Sequence, residues 1–174
     1  WLGRMHPQKG VEDIIPTFKY LAKQVENFRA VIVGRVKEAL EPEIERHGLA
    51  EKVFFPGFVS EEEKFRLLKA SRVFLMPSRH EGSPRVIGEA LLCGTRIVAY
   101  EVETYREVFR DWVSYVPCFN LEKFQHKVEQ EIMEAKENKT PKNSFNYNEF
   151  IANNSWEATG ENFVKEVKSL LQRG

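Results

Sequence analysis

Three stretches of this chain bring together residue types able to hold a polar ligand. The first is Gly3-Arg4-Met5-His6-Pro7-Gln8-Lys9-Gly10, with two cations five residues apart around a proline turn, just ahead of a helical pattern. Loop cations beside a helix start form an anion site, because free N–H groups and the helix dipole add to the side-chain charge. The plainer account is two solvated surface cations. The second stretch is Pro77-Ser78-Arg79-His80-Glu81-Gly82-Ser83-Pro84-Arg85-Val86-Ile87-Gly88-Glu89-Ala90. It carries Glu81 in a loop and Glu89 on the helix that follows, with small residues between them that let a ligand approach the backbone closely. A carboxylate accepts two hydrogen bonds at once, which suits a pair of sugar hydroxyls. Otherwise Glu81 compensates a helix dipole and Glu89 is solvated. Against that, Glu89 sits among Val86, Ile87, Ala90, Leu91 and Leu92, where an acid is costly unless something polar needs it. The third stretch is Phe54-Phe55-Pro56-Gly57-Phe58-Val59-Ser60, whose Phe58 or Val59 could lie against a flat ring or simply pack a turn. Arg35, after Gly34, and His80 are weaker candidates for the same space, and Cys93 reads as a small buried hydrophobe.

These loops need elements to position them. Short, nearly all-apolar runs at 30–33, 53–55, 73–76 and 96–99 read as parallel strands covered on both faces, with 113–116 a weaker strand and Trp1-Leu2 the stump of another. Helical patterns lie between them. Residues 11–25 carry a 3.6-residue apolar stripe, 39–47 a polar surface helix stopped by Gly48, and 61–70 a helix opened by the Ser60/Glu63 capping box. Further helices are expected at 85–93, 121–138 and 155–172, the last capped by Ser155, with 137–148 a linker or flexible loop. Strands alternating with helices predict an α/β, Rossmann-like, doubly wound parallel sheet of five or six strands. Residues 1–174 are expected to form a single domain. In such sheets ligands bind beyond the carboxyl ends of the strands, where all three loops fall.

Composition narrows the chemistry. The 174 residues carry 26 basic and 26 acidic side chains, so nothing points to binding nucleic-acid phosphates by charge excess. Only Asp13 and Asp111 are aspartates, and His6, His47, His80 and His126 are scattered, so no metal site is expected. There is no Gly-x-Ser-x-Gly elbow, no Gly-x-Gly-x-x-Gly dinucleotide fingerprint and no Gly-x-x-x-x-Gly-Lys-Ser/Thr phosphate loop. No apolar run approaches the roughly 18 residues of a membrane helix. Two cysteines, Cys93 and Cys118, suggest a reducing compartment. The opening Trp1-Leu2-Gly3-Arg4 has no initiator Met and no leader pattern, and is read as starting inside a strand of a longer protein.

Together the loops resemble the C-terminal, nucleotide-sugar-binding domain of GT-B glycosyltransferases of the retaining family 4. Leu2-Gly3-Arg4 through Lys9-Gly10 is similar to that family's Gly-Arg…Lys-Gly loop, and Val53 through Ser60 to its strand-turn near the base. Pro77-Ser78, Glu81-Gly82, Glu89-Ala90 and Cys93-Gly94-Thr95 are similar to its Glu-x7-Glu signature and flanks. The resemblance covers roughly residues 1–100, in the family's order and spacing. It implies that Arg4 and Lys9 bind and stabilise the donor's diphosphate, that Glu81 contacts the transferred sugar and that Glu89 holds the ribose hydroxyls. Amides around Ser83 and Arg85 would reach phosphate or sugar, and Phe58-Val59 would flank the base.

The same resemblance implies a metal-independent transfer with no cofactor beyond the nucleotide-diphosphate sugar. The enzyme would be cytoplasmic, mannosyltransferase-like, and peripheral to the membrane inner face through its other half. A glycan or lipid-linked acceptor would bind a missing N-terminal domain, leaving the fragment inactive alone and exposing an apolar patch where the halves meet. An epimerase or phosphorylase of the same fold, and a non-catalytic nucleotide-sugar-binding module, are the alternatives. Pro84 stands where the family often has Gly. Tyr100 through Glu107, of which only Glu107 fits loosely, and the residues around Asp111-Trp112 depart from its Gly-Gly…Pro-Glu and Asp-Gly…Gly turns, so no site is carried past residue 100.

Overall fold

The computed structural model describes residues 1–82, 84–139, 145–155, 157–158, 160–161, 164–165 and 168. It divides into two compact units, Trp1–Asn143 and Ser144–Gly174. In the first unit helices alternate with parallel strands: α1 (Val11–Gln24), β1 (Ala30–Val33), α2 (Lys37–Arg46), β2 (Val53–Gly57), α3 (Glu61–Ala70), β3 (Val73–Met76), α4 (Arg85–Leu92), β4 (Arg96–Tyr100), α5 (Glu103–Phe109), β5 (Ser114–Val116) and α6 (Leu121–Lys136). The second unit holds α7 (Tyr147–Asn154). The α/β Rossmann-like expectation is met, since every strand pair is parallel.

Hydrogen bonding groups the strands as β1-β2 and β3-β4-β5. Leu2 adds to the outer side of β1 through a parallel bridge to Val33, as the stump of a strand. β4 is buried along its whole length, which requires cover on both faces. α6 lies across β3, β4 and β5 and packs on α1, while α4 packs on β4 and α3. Between these layers Ile14, Phe18, Leu21, Ile32, Val98, Tyr100 and Phe124 form the centre of the core.

Local chemistry explains most boundaries. The apolar stripe of α1 buries Val11, Ile14, Ile15, Phe18 and Leu21, and Glu12 and Asp13 sit in its first turn. The hydroxyl of Ser60 accepts the Glu63 N–H at 3.2 Å and starts α3 where expected. Gly48 and Gly94, both with positive φ, follow α2 and α4.

Three expectations need correcting. α2 starts at Lys37 because Leu40 and Ile44 turn into the core; its N-cap, Val36, makes no side-chain bond that would mark the start. α5 was not expected: it has no capping side chain either, and is held by burial of Tyr105 and Phe109. α7 begins inside the stretch read as a linker, with Asn146 accepting the Glu149 N–H at 3.0 Å; an Asn-x-x-Glu cap lay within polar composition. Of the helix expected at 155–172, residues 157–158, 160–161, 164–165 and 168 are helical and the remainder lie outside the described residues. Its expected cap holds, with Ser155 Oγ accepting the Ala158 N–H at 3.1 Å.

At the amino end of β4 the buried Arg96 is clamped by Glu131 at 2.6 Å and Glu134 at 3.2 Å, and Glu131 also accepts from Ser114. These pairs pin α6 to the sheet from the end opposite the loops after the strands.

At that other end two loops meet almost backbone to backbone. Gly10 has φ +62°, and a Cβ there would run into the Pro77 carbonyl. Gly10→Ala should therefore destabilise the chain by about 2–4 kcal/mol, the sum of left-handed strain and overpacking. Urea unfolding followed by circular dichroism measures this. A loss under about 0.5 kcal/mol, the range of ordinary surface substitutions, would contradict the close approach.

Candidate functional site

Loops 3–10, 58–60 and 77–82 follow Leu2, β2 and β3, so parallel pairing places all three at the carboxyl ends of the strands. The first is shaped by a short turn at Pro7–Lys9, with the His6 ring accepting the Gln8 N–H at 3.3 Å. The third is stitched to the first by an Arg79 N–H to Gln8 carbonyl bond of 2.8 Å. That stitch brings Lys9 and Glu81 together. The Lys9 ammonium donates directly to the Glu81 carboxylate, with both side chains mostly buried. From the far side, Thr104 of α5 donates to the Glu81 carbonyl at 3.2 Å.

Glu89 has a different partner. On the inner side of α4 it meets Lys64 of α3 at 2.9 Å, and Lys64 also bonds Glu61 at 2.7 Å. The polar group that an acid within that apolar run requires is therefore a lysine. Lys64 is 11% exposed; burial acts to lower its pKa, but the two carboxylates outweigh it and the net shift is upward. Only the N-cap Ser60 separates Val59 from α3, so the same helix that carries Lys64 starts just after the Phe58-Val59 turn. Phe58 is exposed and Val59 half-buried.

Arg4 is exposed and lies five residues before Lys9 in the same loop. Arg85 is exposed at the first position of α4, whose N-cap, Pro84, makes no side-chain bond. Ser83 lies outside the described residues. Cys93 is not fully buried as expected: it is half-exposed just past α4, its thiol pKa raised first by burial and then by the charge of Glu89.

Sequence reasoning passed over several residues here. Arg79 lay inside the quoted loop without a role. Asp13, Lys64, Thr104 and Tyr105 sit on neighbouring helices, and nothing in their spacing marks them. Tyr105 is fully buried, and burial first, then the charge of Glu81, raises its pKa. Met5, Phe58 and Phe119, all in loops at the strands' carboxyl ends, are exposed apolar side chains of the kind expected near a domain junction. A cleft of about 610 Å³ between α1 and α2 opens beside Met5, His6 and Pro7 but does not reach Lys9 or Glu81.

Comparison with known proteins identifies the family. The model of the family described as glycosyl transferases group 1 matches residues 1–148. This chain belongs to that family. It is 29% identical over 115 residues to a 2-deoxystreptamine N-acetyl-D-glucosaminyltransferase of Streptomyces fradiae, covering 62% of this chain and 26% of that protein. Mannosyltransferases are also among its relatives.

Among solved structures, sucrose-phosphate synthase from Thermosynechococcus elongatus superposes with a TM-score of 0.77 at 20% identity, over 99% of this chain and 45% of that one. The Anabaena protein HepE, solved in complex with UDP and glucose, superposes at 0.65 with 26% identity, over 78% of this chain and 38% of that one. The fold is that of the C-terminal half of a GT-B glycosyltransferase. The chain spans between a quarter and a half of the length of the curated relatives it matches. No helix among the described residues is long and apolar enough to cross a membrane.

The Lys64–Glu89 contact is testable apart from any ligand. A double-mutant cycle of Lys64→Ala and Glu89→Ala, read by urea unfolding, should give a coupling energy of about 0.5–1 kcal/mol, the upper range for a partly exposed pair. Additive losses would mean that the two side chains do not share charge in solution.

Proposed function

We propose that this chain is the donor-binding half of a glycosyltransferase that moves a sugar from a nucleotide-diphosphate sugar to an acceptor. The observation that carries the reading is the contact between Lys9 and Glu81. It places a cation suited to phosphate against a carboxylate suited to hydroxyls, the order in which a sugar diphosphate presents its own groups. Membership of the family and the likeness to a protein solved with UDP and glucose support it.

In this reading Arg4 and Lys9 take the diphosphate, aided by amides near Ser83 and Arg85. Negative charge grows on the diphosphate as the glycosidic bond breaks. Cations and amides fixed in place before reaction stabilise that charge with no reorganisation, and no metal ion is called for. Glu81 orients the transferred sugar through its hydroxyls. Glu89 receives the ribose hydroxyls and exchanges part of its contact with Lys64 for them. Phe58 and Val59 flank the base. The acceptor, a glycan or a lipid-linked one, is held by a further domain. Transfer requires both reactants in contact, so the 174 residues alone are inert. The working protein is cytoplasmic and meets the membrane inner face, if at all, through that other domain.

Calorimetric titration with nucleoside, nucleoside diphosphate and nucleotide sugar separates these roles, with the base chosen by a thermal-shift screen of UDP, GDP and ADP sugars. Arg4→Ala and Lys9→Ala each remove a charge-assisted bond worth roughly 1.5–3 kcal/mol and should weaken diphosphate binding about tenfold or more. Binding of the bare nucleoside should stay within about twofold, the scatter of such measurements. Glu89→Ala should weaken all three ligands, and Glu81→Ala only the nucleotide sugar. Unchanged diphosphate affinity in both cation variants would make the loop a solvated turn and end the reading. Transfer to an acceptor by the longer protein distinguishes a transferase from an epimerase, a phosphorylase or a binding module.

A further inference from the structure

Arg79 stands two residues before Glu81, yet its side chain turns away from the Lys9–Glu81 pair and back toward α1. One guanidinium nitrogen donates to Glu12, and the other donates to Asp13 at 3.0 Å. Asp13 is buried, and the same carboxylate oxygen accepts the hydroxyl of the fully buried Tyr100, at the end of β4, at 2.9 Å. From the loop between β5 and α6 the ring of Phe119 covers the guanidinium, 4.6 Å from its centre, with Phe119 itself at φ +63°. Between the two carboxylates and the ring, Arg79 joins the Glu81 loop to α1, to the end of β4 and to the loop after β5. Its backbone N–H meets the Gln8 carbonyl, next to Lys9.

We propose that Arg79 is a positioning residue of the donor site: clamped by Glu12, Asp13 and Phe119, it holds the loop bearing Glu81 in register with the loop bearing Lys9. This rests on the reading that Lys9 and Glu81 meet the donor. The planar fork of arginine spans two carboxylates that are neighbours at the start of α1, and it lies against an aromatic ring. A lysine offers one compact charge, so it neutralises Asp13 without spanning both acids or filling the stack. The backbone bond to Gln8 is open to every residue at 79 except proline, so what the side chain adds is restraint of the loop tip. A misplacement of the order of 1 Å in such a group costs about a hundredfold in favourable cases, and a ground-state binding site loses less. The restraint acts on the diphosphate–sugar junction alone, because Glu89 and the Phe58-Val59 turn are held by α3 and α4.

The test uses the 174-residue chain and whichever of UDP, GDP and ADP binds it most tightly, with the matching nucleoside as the second ligand. Arg79→Lys should weaken the diphosphate about tenfold and the nucleoside less than about twofold, the pattern of a lost charge-assisted contact. On a Lys9→Ala background the same change should cost less than about threefold, because the group it positions is gone. Glu12→Gln, which removes only the more exposed half of the clamp, should weaken the diphosphate about threefold and decides the matter should the Arg79 variants fail to fold. Three results overturn the clamp while leaving the site reading intact. These are wild-type diphosphate affinity in Arg79→Lys or Glu12→Gln beside a weakened Lys9→Ala, equal losses for diphosphate and nucleoside, and a full tenfold further loss on the Lys9→Ala background. A Lys9→Ala chain that binds the diphosphate as well as the wild type, or a wild type that binds none of the three, removes the site reading and the clamp with it.

Discussion

Asp13 is a buried carboxylate on the first turn of a helix, and such a group is stable only with a partner. The partner it has, Arg79, comes from a loop 66 residues further along the chain, and satisfying Asp13 decides where that loop lies. The Tyr100 hydroxyl on the same oxygen ties the arrangement to the most buried strand of the sheet. Gly10 then permits what the pair demands, an approach of the first loop to the Pro77 carbonyl too close for any side chain. The charge on Lys9 meets Glu81 because this seam is closed, not because the two attract across open space. An ion pair between exposed flexible side chains would contribute too little to order two loops.

Both carboxylates singled out in the sequence are already paired, Glu81 with Lys9 and Glu89 with Lys64. Each lysine sets a positive charge directly beside a carboxylate that is largely removed from solvent. A polar ligand arriving there exchanges one set of hydrogen bonds for another without burying a naked charge. The division of labour follows the helices: the β3–α4 loop answers to α1, while α4 answers to α3.

The opposite end of the sheet is built for rigidity. Arg96, Glu131, Glu134 and Ser114 form a closed network that fastens α6 across β3, β4 and β5. A sheet held there lets the loops at the carboxyl ends carry exposed cations and apolar tips such as Phe58 and Phe119. Those features would be liabilities in a core, and they are tolerable where a ligand or a neighbouring domain covers them.

Much of this was legible in the residues themselves. Strands buried on both faces read as short apolar runs, so β1, β3 and β4 stand out without any structure. The Ser60 cap and the apolar stripe of α1 are local signals of the same kind. Lys9, Glu81 and Glu89 are visible because each departs from its surroundings: a cation ahead of a helix, an acid between glycine and histidine, an acid inside an apolar run. α5 escaped because it is seven residues long and held by burial of Tyr105 and Phe109, with no capping side chain; α7 escaped because its Asn146 cap lies in polar composition. Arg79 escaped for a deeper reason. Its meaning lies in Asp13, Glu12, Tyr100 and Phe119, which come from three separate places in the chain and become neighbours only when the parallel strands stack. One-dimensional spacing encodes contacts a few residues apart, so it could single out Lys9, Glu81 and Glu89 as residues that depart from their surroundings. Which charge each of them answers to depends on side chains meeting across helices and loops, and only the folded chain determines that.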